Sequence, residues 1–146
     1  MALPVPPARE LIALWPETLV TVAACGALLA DIITPRERKR LIGWGCFVVV
    51  CVTLLLLLVV PPQGGSLLSG MFMADGYAVF FKGLFLMSTA LTVLISMRYL
   101  DDEGSHHGEY YALLLFAAVG MMFMAGGGDL VTIYLGLELM SLPTYV

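Results

Sequence analysis

Hydrophobic positions along this chain fall in long unbroken blocks, and the polar residues between them gather at a few points of punctuation. The first block runs from about Leu11 to Ile33 and is closed by Pro35 and the run Arg36-Glu37-Arg38-Lys39-Arg40. A second runs from about Leu41 to Val60 and stops at Pro61-Pro62. A short loop containing Gly64-Gly65 leads to Asp75, and the third block covers about Gly76 to Tyr99, ended by Asp101-Asp102-Glu103-Gly104. The fourth extends from about Glu109 to Ala125, where Gly126-Gly127-Gly128 breaks it. Asp129 is placed to cap a fifth helix, which begins at Leu130 and is still apolar at Val146. Each complete block has the length of about 20 residues that a helix needs to cross a bilayer. Only a helix or a closed barrel satisfies its own backbone there. The pattern predicts an all-α, polytopic membrane helix bundle with four complete transmembrane helices and the start of a fifth.

Composition sharpens this. Of the 146 residues, 60% are hydrophobic and 12% charged, whereas a soluble domain carries about 25% charged residues. So few charges cannot coat a water-soluble globule. The net charge of −4 matters less than its distribution. Arg36, Arg38, Lys39 and Arg40 sit between the first two blocks and Arg98 ends the third, while the loops after the second and fourth contain no Lys or Arg. The positive-inside bias then places the first and third loops in the cytoplasm and the N-terminus outside. Trp15 and Trp44, with Tyr99, Tyr110 and Tyr111, fall near block ends as interfacial anchors. Arg9 and Glu10 precede an apolar stretch holding Pro16 and Glu17, and no small-residue cleavage site follows cleanly, so the first block reads as a retained helix. There is no basic surface suited to nucleic acid.

Few residues are suited to chemistry. Glu138 lies nine residues past Asp129, about 13 Å into a hydrocarbon layer about 30 Å thick. A carboxylate at that depth must bind a proton or find a cation. Tyr134, Ser141 and Tyr145 stand at i−4, i+3 and i+7 from it, which predicts a polar stripe on one helix face. Pro143 cannot donate to the carbonyl of Leu139 and leaves an acceptor near the acid. Such a stripe suits a hydrated proton path; the plainer reading is a neutral, hydrogen-bonded packing carboxyl. Lys82, six residues into the third block, either heads a polar path with Thr89 and Ser96, snorkels to the interface, or joins a structural pair. Glu17 and Asp31, near block ends, read as interfacial or solvated, and Gly26 with Ala30 as a helix-packing pair. Cys25, Cys46 and Cys51 read as small apolar packing residues. The stretch Asp101 to Glu109, with His106 and His107, is rich in possible ligands but matches no metal spacing, so no metal is expected. Nothing in the chain resembles a nucleotide loop, a nucleophile with its base, or a redox centre.

Three segments carry a resemblance: Gly108-Glu109-Tyr110-Tyr111-Ala112-Leu113-Leu114-Leu115-Phe116, then Gly120-Met121-Met122, then Asp129 through Pro143. Together they are similar to subunit N of bacterial NADH–quinone oxidoreductase, respiratory complex I, one of the antiporter-like membrane subunits. Gly136-Leu137 before Glu138 is the form associated with subunit N, where the L and M relatives usually carry a tryptophan. Asp75-Gly76-Tyr77-Ala78 fits more softly. The resemblance implies a fourteen-helix fold with two inverted five-helix repeats, the first covering helices four to eight. On that basis residues 1–107 would hold the three N-terminal helices and 108–146 the start of the first repeat.

The resemblance also implies proton translocation driven by electron transfer from NADH to quinone elsewhere in a hetero-oligomeric complex. FMN, iron–sulfur clusters and quinone would be held by other subunits, and this chain would carry no cofactor. Its partners would be the other membrane subunits and the lipid bilayer, with no nucleic acid. The family's fifth-helix glutamate corresponds to Glu138, and its partner there is a lysine on helix seven. This sequence ends inside helix five, so it is expected to be an N-terminal fragment. Two alternatives stay open: a subunit of a multisubunit cation/proton antiporter, or a small structural or assembly membrane protein.

Overall fold

The computed structural model describes residues 12–35, 39–62, 65–103 and 108–145, and at 101–103 the backbone alone. Arg9, Glu10, Arg36, Arg38, Gly64, His106, His107 and Val146 lie outside the described residues, as do the side chains of Asp101, Asp102 and Glu103.

Four helices are long and apolar enough to cross a membrane: α1 (Trp15–Ile33), α2 (Arg40–Val59), α3 (Gly76–Glu103) and α4 (Gly108–Gly126). A shorter apolar helix, α5 (Leu130–Ser141), follows, and the chain tightens into a 3-10 turn over Leu142–Thr144. Pro16 falls in the first turn of α1, where its missing N–H removes no intrahelical bond. The expected cap of α5 is present: Thr132 N–H donates to Asp129 Oδ1 at 2.7 Å. That bond holds the Asp129 carboxyl below the usual carboxylate range. Asp75 caps α3 in turn, accepting from Ala78 N–H at 2.8 Å.

The segment after α2, expected to be a plain loop, folds as a small antiparallel hairpin of β1 (Gly65–Leu67) and β2 (Phe72–Ala74). Its tip holds Leu68 and Ser69 at φ 50 and 59, a left-handed conformation that side chains disfavour. Docking compensates for that cost. Phe72, 1% exposed, lies edge-on to Phe123 of α4 with ring centres 6.1 Å apart. Gly128 N–H donates to Met71 O at 2.9 Å, and a side chain at Gly126 would collide with the Phe72 ring. The hairpin therefore closes the end of the bundle where α1 and α3 begin and α4 ends.

Helix α4 is the hub, packed against α1, α2, α3 and α5. Its inward residues Tyr111, Leu115, Val119 and Met122 are buried against Val20 of α1, Val50 of α2 and Leu86 of α3. At the α4–α5 crossing, backbone meets backbone: a Cβ at Gly120 would stand 2.5 Å from Met140 N and 2.6 Å from Gly136 O. The opposite holds at Gly26, where a Cβ would meet nothing within 4 Å. Ala30 packs against the core as expected, but at Gly26 α1 and α2 flank an open groove of about 510 Å³.

Gly120→Val is expected to destabilise the full chain by about 1–3 kcal/mol through overpacking, read as a lower unfolding midpoint in detergent. Gly45→Ala, in open space, should leave that midpoint unchanged.

Candidate functional site

Glu138 sits in the third turn of α5, partly exposed. Tyr134 stands one turn earlier, four residues before it on the same helix. Ser141 behaves otherwise, since its hydroxyl donates at 3.1 Å to the Glu138 backbone carbonyl rather than to the carboxylate. The same carbonyl accepts from Leu142 N–H as the helix tightens before Pro143. A 3-10 turn advances about 20° more per residue than an α-helix. Tyr145 lies beyond that turn, 81% exposed, so the turn shifts it from the position an unbroken helix would give. Tyr134 and Glu138 are brought together; Ser141 serves the backbone. Among the described residues no ion pair reaches Glu138.

Lys82 does not snorkel. Its side chain is fully buried, and Nζ lies 2.6 Å from Oε1 of Glu17, which is 1% exposed. Glu17 is thus neither interfacial nor solvated, contrary to its reading from the sequence. Nζ also stands 4.7 Å from the centre of the Phe72 ring, so the hairpin's aromatic side chain covers the pair from the end of the bundle. Apart from this mutual contact, neither the carboxylate nor the ammonium has a well-aligned hydrogen-bond partner among the described residues.

The polar residues below Lys82 on α3 are already engaged. Thr89 donates to Phe85 O at 2.7 Å, and Ser96 shares a 2.9 Å hydrogen bond with the Tyr110 hydroxyl. These bonds bind the helices internally. Asp31, read as solvated, also turns inward: it pairs with Lys39 at 2.7 Å and accepts from Gly108 N–H at 2.8 Å. It ties the ends of α1, α2 and α4 together.

The pairing of Glu17 with Lys82 joins residues far apart in sequence. The available signal was two opposite charges, each inside an apolar block and each near the same predicted end of the bundle.

Comparison with known proteins adds the family. No family model matches the chain. It is 42% identical over 131 residues to NADH-quinone oxidoreductase subunit N 2 of Rhizobium meliloti (strain 1021), covering 90% of this chain and 27% of that relative. It is 40% identical over 139 residues to NADH-quinone oxidoreductase subunit N of Desulfitobacterium hafniense (strain DSM 10664 / DCB-2), covering 94% of this chain and 28% of the relative. Along nearly all of its own length the chain is similar to subunit N proteins. It spans about a quarter of the length of the subunit N proteins it matches. The likeness to subunit N covers nearly all of the chain, as the resemblance around Glu138 led one to expect.

Lys82→Met should strand the Glu17 carboxylate inside the bundle and destabilise the full chain by about 3–5 kcal/mol. Glu17→Gln combined with Lys82→Met should recover most of that loss. Unfolding in detergent measures both, and a single variant as stable as the parent would contradict the buried pairing.

Proposed function

We propose that this chain forms part of a proton-translocating membrane subunit of an NADH–quinone oxidoreductase, with Glu138 as a proton-handling group. The observation that carries the reading is an ionisable side chain inside an apolar helix, where a charge persists only when it is functional or compensated. Two features support it. Tyr134 places a hydroxyl-bearing side chain one turn away on the same helix, and the Gly120–Gly136 crossing holds this part of α5 directly against the hub helix. The names of the relatives supply the complex: NADH-quinone oxidoreductase subunit N.

In this reading the chain carries no redox centre. Electron transfer takes place on FMN, iron–sulfur clusters and quinone in other subunits, and this chain contributes to moving protons. Residues 1–107 supply three helices that flank the antiporter-like repeat, and 108–146 begin the repeat itself. The basic loop containing Lys39 and Arg40 faces the cytoplasm, and the hairpin faces the periplasm of a bacterial inner membrane.

Glu138→Gln in the full-length subunit, assembled in its complex, is expected to reduce severalfold the protons moved per NADH oxidised while assembly is retained. Dye-monitored proton uptake in membrane vesicles reads this. Parent-level pumping from a fully assembled Glu138→Gln complex would overturn the proposal.

A further inference from the structure

The buried pair on α1 and α3 is placed for a use of its own. Glu17 lies in the first turn of α1 and Lys82 in the second turn of α3, within about 10 Å of the hairpin end of the bundle at the helical rise. The Phe72 ring of the hairpin lies over the Lys82 ammonium, 4.7 Å from Nζ to the ring centre. The pair is under-coordinated. An ammonium has three donors and a carboxylate two acceptor oxygens, yet beyond their contact at 2.6 Å neither has another well-aligned partner among the described residues.

A pair in this condition binds and releases protons as a unit. A proton added to Glu17 leaves a lone positive charge on Lys82, and a proton removed from Lys82 leaves a lone negative charge on Glu17. Either state is costly while the site is dry. It becomes accessible only when water reaches the pair, and the short route from the end of the bundle passes Phe72. That ring is held by the hairpin, whose docking rests on Phe123, Gly126 and one backbone bond to Gly128.

We propose that Glu17 and Lys82 form a second proton-exchanging site, separate from Glu138, whose opening to the outer medium is controlled by Phe72 on the hairpin. The proposal rests on the translocation reading and on the orientation given with it. A proton leaving Lys82 passes to water admitted by the displaced ring, and the pair regains neutrality by taking a proton back from that water before the ring closes.

The test uses the full-length subunit in its complex, with proton pumping per NADH oxidised measured against the pH of the outer medium. The double variant Glu17→Gln with Lys82→Met removes both charges at similar volume. It is expected to assemble and transfer electrons, to pump fewer protons, and to lose the dependence on outer pH seen in the parent. Parent-level pumping with a parent-like pH profile would reduce the pair to a helix fastener and overturn the proposal. Should the double variant fail to accumulate, Phe72→Leu decides, because it keeps both charges and an apolar side chain in the hairpin's seat while removing the ring over Lys82. Its pumping should respond more strongly to outer pH, and an unchanged profile overturns the proposal. Glu138→Gln is measured alongside. If it alone is impaired, only the pair has lost its role; if it too pumps normally, the translocation reading itself has failed.

Discussion

A charge carried into a dry helix bundle has to meet its opposite there, and much of this structure follows from that requirement. Lys82 enters on α3 with too little room to reach the interface, and Glu17 enters on α1 at the same end. Their contact sets how far α1 and α3 are advanced relative to each other. It also gives the hairpin a seat, because the ring of Phe72 lies over the ammonium rather than against lipid. The hairpin's strained tip is tolerated because what lies beneath needs covering.

The second organising contact involves no charge. Gly120 and Gly136 let α4 and α5 approach until their backbones touch, which fixes the depth and rotation of α5 and therefore of Glu138. Around the hub helix, an ion pair joins two of its neighbours, α1 and α3, to each other, apolar packing holds α2, and backbone proximity holds α5. Proton handling at Glu138 would draw on the last of these, since a carboxyl group is useful in a membrane only when its surroundings are rigid enough to define them.

The crossing helices were legible because lipid imposes one solution on long apolar blocks. The block expected from Leu41 to Val60 is observed as Arg40–Val59, and that from Glu109 to Ala125 as Gly108–Gly126. Asp129 was legible as a cap because its geometry is local. The hairpin was not, since strands of three residues are too short to show alternation. The Glu17–Lys82 pair was hidden for another reason: sequence reports depth along each helix but not which faces meet. The same blindness misplaced Gly26, whose small-residue spacing suggested close packing where the helices in fact flank an open groove. At Glu138 the i−4 partner Tyr134 was readable, while Tyr145 was misplaced because the turn at Pro143 breaks the helical count.

The two ends of the bundle are fastened by different means. At one, Asp31 joins Lys39 and the start of α4 through a contact that water still reaches, with side-chain exposures of 8% and 14%. At the other, an aromatic ring and neighbouring backbone seal a contact that water does not reach. Dissolved ions screen exposed attractions and leave buried ones nearly untouched. Ionic strength is therefore a weak and uneven lever on this molecule: added salt reaches the Asp31 fastening only slightly, through its small exposed fraction, and leaves the hairpin end as firm as before.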